Sequence, residues 1–353
     1  MIFANGTTNL RLFSPAIFTL AILMTSELSA ARYEAKSAVD DGIGIYTLRD
    51  TTTDVVVRIA PSLGANAYSM KVKGEEIMFS PYEKLSQLKA KPTLLGTPFL
   101  APWANRLDHE GFYANGKHYA LDPAVGNYRY DGSKQPIHGL LNYAAEWKMI
   151  GIYDGPDQAW YTFRLEFFRI PAYMAQWPFA HTIDITYRLK DGNLEVHTEI
   201  TNLAFEPMPL VIGYHPYYQL TDAPRDEWKV TLPAREHVKL NDKLTPTGER
   251  EQNPYTSPVT LRGKQLDDVF TGLAANATFS VEGKKQKVEV VYGAKYPVAV
   301  VYAPPGRNFI CFEPMTGITN GANLAHAGKY PELQSIPAGG VWKESFWVKP
   351  SGF

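Results

Sequence analysis

Three features of the sequence predict an all-β chain, a large antiparallel β-sandwich forming one domain. Apolar and polar residues alternate with period two nearly everywhere after residue 43. Turn signals rich in Gly, Pro, Asn and Asp separate the alternating runs, and no βαβ spacing that would build a parallel sheet interrupts them. Aromatic residues make up 13% of the 353 positions, with 21 tyrosines, which suits pleated, half-buried surfaces.

The N-terminus is different in kind. "RLFSPAIFTLAILMTSELSAARYEA" carries a lone Arg11, an apolar run from Leu12 to Met24, and small residues at Ser29, Ala30 and Ala31. A basic start, an apolar centre and a small-residue cleavage site read as a secretory signal peptide over residues 1–31. The apolar run falls short of the roughly 20 residues that span a bilayer. The expected mature domain is 32–353, periplasmic or secreted, with no membrane attachment after cleavage.

The strands follow in order. "TDVVVRIA" alternates. "YEKLSQLKA" is the one helix-like pattern of note. "EGFYANGKHYALD" reads as a hairpin turning at Asn115-Gly116. "YTFRLEFFRI" puts Phe163, Leu165 and Phe167 on one face, and "HTIDITYRL" does the same with Ile183, Ile185 and Tyr187. Between "HTIDITYRL" and "LEVHTEITNL" stands "KDGN", a tight-turn signal that predicts a second hairpin. "VIGYHPYYQL" suits a strand until His215-Pro216, where proline has no amide to donate and the strand must end, bulge or lie on an edge. "KVEVVY" and "VAVVYAP" are later strands.

Charge and cysteine content narrow the function. A formal net charge of -1 gives no electrostatic reason to expect nucleic acid or an anionic membrane as partner. Cys311 is the only cysteine, so no intrachain disulfide forms, and its apolar setting in "RNFICFEP" reads as a small buried hydrophobe outside any metal shell.

Several familiar motifs fail on inspection. "GFYANGKH" has the glycine and lysine spacing of a phosphate loop, but His118 stands where Ser or Thr would hold magnesium and no helix follows. "HEGFY" lacks the second histidine of a zinc-protease helix. Gly42 and Gly44 lack the third glycine of a dinucleotide fingerprint. No Gly-x-Ser-x-Gly elbow occurs.

What remains is a set of polar residues at strand ends and turns in apolar surroundings. "FLAPWANRLDHEGF" carries Asn105 and Arg106, "QPIHGLLN" carries His138, and "IGYHPYYQL" carries His215 and Tyr217. "KQLDDVFTGL" carries Asp267 and Asp268, and "FICFEPMTG" carries Glu313. Each has a plain structural role open to it: a core histidine, an ion-paired arginine, a turn aspartate, a strand-end charge. Together, two imidazoles, an arginine and two carboxylates make an acid/base kit that needs neither metal nor nucleophile. Trp103, Trp177 and Tyr217 are candidate aromatic walls for such a site, each also fit for plain core.

The order Asn-Arg, His-Gly, His-Pro-Tyr-Tyr, Asp-Asp-Val-Phe and Phe-Glu-Pro resembles the aldose 1-epimerase (galactose mutarotase) family, from about residue 43 to the end. The resemblance implies a large β-sandwich and a cofactor-independent isomerase acting on a free sugar, as a monomer or homodimer, with a non-catalytic carbohydrate-binding protein or a hexose-phosphate 1-epimerase as the alternatives on the same fold. It implies Glu313 as general base, His215 as general acid, and Arg106, His138, Asn105, Tyr217 and one aspartate as substrate contacts. Asp267 fits best, three residues before Phe270, with Asp268 left open. No metal and no cofactor are implied. "PMTG" follows Glu313 where the better-known galactose enzymes have Thr-Gln, so a galactose preference is not implied. The leader also departs from the mostly cytosolic family pattern.

Overall fold

The computed structural model describes Met1 and residues 31–353, so the expected signal peptide lies outside the described residues. Ala31–Phe353 form one compact unit. Its strands build three main antiparallel sheets. A nine-stranded sheet runs from the edge strand Lys148–Asp154 through Ala159–Glu166, His181–Lys190, Asn193–Asn202 and Val341–Ser351 to Val259–Thr260. An eight-stranded sheet places Leu266–Thr271, Val298–Ala303 and Ile310–Met315 side by side, with Gly213–Tyr214 next and Phe99–Leu100 at the end. A five-stranded sheet, Tyr33–Asp40 through Glu75–Glu76, packs Tyr46 edge-on against Tyr161 and Phe163.

Local chemistry explains the pairings. Asp191 and Gly192 turn with φ 49° and 73°, as do Asn115 and Gly116 with φ 51° and 73°, so both expected hairpins form through turns with two positive φ angles. Phe163, Leu165 and Phe167, and likewise Ile183, Ile185 and Tyr187, are all buried as their alternation predicts. The expected helix forms at Leu85–Ala90. Pro171–Gln176 and Gly321–His326 are further six-residue helices, too short to print a helical period on the sequence.

The two larger sheets face each other across an aromatic core. Phe279 meets Phe312 with ring centroids 5.9 Å apart, and Tyr214 meets Phe346 at 5.0 Å. Ile310–Met315 is buried along its whole length. Phe312 points into the sandwich, so pleating sends Cys311, Glu313 and Met315 to the opposite face. A carboxylate is thereby carried into the interior by a strand whose other face is core.

Candidate active site

The outer face of the eight-stranded sheet forms the floor of a small pocket. Cross-strand pairing sets Val300 opposite Glu313, Tyr302 opposite Cys311, and Asp267 opposite Tyr302. Asp267, Val300, Tyr302 and Glu313 thus share one face of three adjacent strands and line a cavity of about 230 Å³. Asn105, Arg106, His138, His215 and Tyr217 complete its wall. Glu313, His215, Arg106, His138, Asn105, Tyr217 and Asp267 all reach this pocket.

The strand interrupted by proline supplies the imidazole. Gly213 pairs with Met315 and Tyr217 with Cys311, in one register on either side of the gap. That register sets His215 opposite Glu313, and His215 Nε2 lies 3.2 Å from Glu313 Oε1. Pro216 sits in a break of the ladder, as its missing amide requires; residues 214–216 are unpaired with Ile310–Met315, and pairing resumes at Tyr217. On its other side His215 is held by its backbone amide, which donates to Pro98 O at 3.0 Å. The Tyr217 ring stacks on the imidazole at 4.7 Å and 8°. Gly213 has a steric reason to be glycine, because a Cβ there would lie 1.9 Å from Met315 Sδ and 2.9 Å from Pro314 O.

Two loops supply the rest. Asn105 and His138 both adopt left-handed backbone, φ 55° and 63°, and the His138 amide donates to Asn105 O at 2.8 Å. Such strain concentrates at functional sites, where surrounding structure holds it in place. Asn142 Nδ2 donates to His138 O and Phe99 O, each at 3.0 Å, tying the loop to the sheet. The glycine of the His-Gly pair is required. Gly139 has φ 65°, and a Cβ would lie 2.1 Å from Ala101 O. Gly139→Ala is expected to destabilise the fold by at least about 2 kcal/mol, from left-handed strain plus the clash. Thermal unfolding checks this, and an unchanged Tm would mean the loop is not clamped there.

Arg106 owes its position to a residue that the sequence did not single out. Its Nε donates to Asp131 Oδ2 at 2.7 Å, and Asp131 Oδ1 accepts from the Ser133 and Gln135 amides. Although burial opposes it, the Gln135 amide, Arg106 and the Ser133 amide hold the Asp131 carboxyl below its ordinary range. "DGSKQ" reads only as a turn in the sequence; the pairing is tertiary. Asp131→Asn keeps one oxygen for the turn amides and loses the charge facing Arg106. We expect ligand affinity to fall roughly tenfold, the scale of one charge-assisted hydrogen bond, with turnover within about twofold. Separate KM and kcat measurements check the split, and an unchanged KM would remove Asp131 from the site.

The adjacent aspartates differ in their partners. Asp268 accepts from His237 Nε2 at 2.9 Å and from Tyr255 OH at 3.1 Å, on the other face of the strand. Asp267 faces the cavity. Trp103 and Trp177 are core, 0% and 1% exposed, packed on each other, with Phe112 stacked on Trp177, rather than walling the pocket. Tyr302 and Val300, unforeseen, line it instead. Cys311 is buried as expected, yet the register brings it beside the Glu313–His215 contact: one ligand atom each from His215, Cys311 and Glu313 lie within 4.8 Å of one another. Sequence spacing could not reveal that cluster, since sheet pairing assembles it.

Burial governs the electrostatics. It pushes Glu313 well above the ordinary carboxyl range, reinforced by Asp267 and partly offset by Arg106. It pushes the His215 imidazole down to about 3 against an opposing backbone hydrogen bond, with Arg129 and Arg106 adding to the fall. His138, 5.4 Å from His215 between ring centroids, is likewise lowered by burial and then by His215. The neutral pair, a carboxylic acid beside a neutral imidazole, is thus favoured over the imidazolium-carboxylate pair expected from the residue types. Both forms carry one proton and differ by its transfer across the 3.2 Å contact. Glu313 Oε2 and His215 Nδ1 are buried without hydrogen-bond partners among the described residues. Larger clefts exist, about 300 Å³ beside Leu85–Ala90 and about 460 Å³ beside Lys148–Asp154, but neither brings a carboxylate and an imidazole together.

Comparison with known proteins agrees with this architecture. A galactose mutarotase-like protein from Clostridium acetobutylicum superposes with TM-score 0.80 at 19% identity, over 91% of this chain and 99% of that one. A protein from Synechocystis superposes with TM-score 0.72 at 23% identity, over 90% and 99%. Galactose 1-epimerase from Lactobacillus acidophilus gives TM-score 0.72 at 15% identity, over 92% and 100%. The sequence profile of aldose 1-epimerases matches residues 45–349, nearly all of the described unit, and the chain belongs to the aldose 1-epimerase family.

Proposed function

We propose that the protein interconverts the α and β anomers of a free aldose by acid/base ring opening, without a cofactor. The observation that carries this reading is the Glu313–His215 contact of 3.2 Å on the floor of a pocket ringed by hydrogen-bonding side chains. A cyclic aldose opens when the C1 hydroxyl loses its proton and the ring oxygen gains one while the C1–ring oxygen bond breaks. Rotation about C1–C2 and reclosure give the other anomer. Glu313 takes the hydroxyl proton and His215 delivers one to the ring oxygen; the roles reverse on closure. No electron or group is transferred, so the protons balance within the pair and the sugar.

The resting tautomer must shift for this to happen. Moving the shared proton from Glu313 to His215 creates the base and the acid in one step. The Arg106 charge favours the carboxylate so formed. Arg106, Asp267, His138 and Asn105 surround the sugar with donors and acceptors, and fixing its hydroxyls converts proton transfer into a positioned, first-order event.

Size and charge support a free monosaccharide. The cavity lies below the roughly 300–1,000 Å³ of ordinary small-molecule pockets. Arg106 is the one cation among the residues lining it, and Asp131 already pairs with it, whereas Asp267 and Glu313 are acids. A phosphorylated sugar would want several unpaired cations there. Polarimetry of freshly dissolved α-glucose, α-galactose, xylose and arabinose, with and without protein, tests the reading. Acceleration of at least one is the expected result; none for any, with sugar binding intact, would leave a binding protein.

A further inference from the structure

We propose that the pocket floor is also a site for a thiophilic divalent cation of the zinc type, held by Cys311, Glu313 and His215. The occupied site would block the acid/base pair, and that consequence alone rests on the function proposed above. Three donors of different chemistry, one sulfur, one nitrogen and one oxygen, converge within 4.8 Å, and all three side chains are buried. A tetrahedral zinc with bonds of about 2.0–2.3 Å holds its ligands roughly 3.4–3.6 Å apart. The His215–Glu313 contact, at 3.2 Å, is just short of that range, so small side-chain shifts close the set.

The backbone prepares the arrangement. Cys311 and Glu313 lie two residues apart on one face of Ile310–Met315, and Cys311 pairs with Tyr217, two residues beyond His215. Glu313 Oε2 and His215 Nδ1 have no competing partner. Glu313 and His215 line a pocket open to solvent, which offers an entry path and leaves a fourth position for water. Thiol and imidazole donors select zinc-like ions over magnesium or calcium. Binding breaks the Cys311 S–H bond, displaces the proton shared by Glu313 and His215, forms metal–sulfur, metal–oxygen and metal–nitrogen bonds, and releases two protons to solvent.

The test is metal binding by the full chain after chelator treatment, read separately from activity. Zinc chloride titrated calorimetrically is expected to show one saturable site, and cobalt chloride a near-ultraviolet thiolate-to-cobalt absorption. Both signals should weaken at least tenfold in Cys311→Ala and in Cys311→Ser, the latter guarding against a packing defect. Magnesium should not compete. Chelator-treated protein should keep its mutarotation and lose it to stoichiometric zinc, while Cys311→Ala stays active and resists zinc. Absence of saturable zinc uptake, a cobalt complex without thiolate absorption, or uptake indifferent to Cys311 would each overturn the proposal. Zinc uptake in a protein inert toward every sugar would instead count against the proposed function alone.

Discussion

Glu313→Gln is expected to slow mutarotation by about 10²–10⁴-fold while leaving sugar affinity within a few-fold, the usual contribution of one positioned base. Glutamine keeps the shape and the hydrogen-bonding reach of the side chain but cannot take the C1 hydroxyl proton. The variant should not be less stable than the parent. Burial raises the Glu313 carboxyl well above its ordinary range, so its charged form is disfavoured in the fold, and a neutral amide carries no such penalty. Initial rates by polarimetry, affinity by calorimetry and Tm together check the expectation. Wild-type turnover in Glu313→Gln would place the base elsewhere.

His215→Asn should cost a comparable factor, since it removes the proton donor at the ring oxygen. The double variant should lose far less than the product of the two single losses, because one proton serves both residues and either deletion disables the pair. Multiplicative losses would mean that the two act separately.

The pH dependence follows with a definite sign. The pair works with one proton between its members. Burial lowers His215 to about 3, so the second proton that would quench the base does not bind near an ordinary imidazole value. Activity should therefore persist as the pH falls from 6.5 to about 5, where an exposed histidine would already be charged. Loss of the shared proton at high pH removes the acid, and the raised Glu313 carboxyl moves that limb upward from the ordinary carboxyl range. A profile of kcat/KM, corrected for spontaneous mutarotation, checks this. An acidic limb centred at pH 6.5 would contradict the burial of His215.

The sheet class and both hairpins were legible in the sequence because their causes are local. Alternation sets which side chains face the core, and Asp191-Gly192 and Asn115-Gly116 accept the positive φ angles that two-residue turns demand. The site residues were legible through the order of their motifs, and two of those motifs carry glycines with steric reasons of their own, Gly139 against Ala101 and Gly213 against Met315. Partners were not legible. Asp267 and Asp268 are equivalent in composition, and only His237 and Tyr255, brought across the neighbouring strands, occupy one and leave the other to the pocket. Asp131 reads as a turn until the fold sets it 2.7 Å from Arg106. The protonation of the central pair was likewise decided by tertiary structure. Residue type suggests imidazolium and carboxylate, but desolvation acts on where the side chains end up. His215 and Glu313 meet, buried, on the floor of the pocket because strands remote in the chain pair in one register, and a low-dielectric contact favours the uncharged tautomer until a sugar enters.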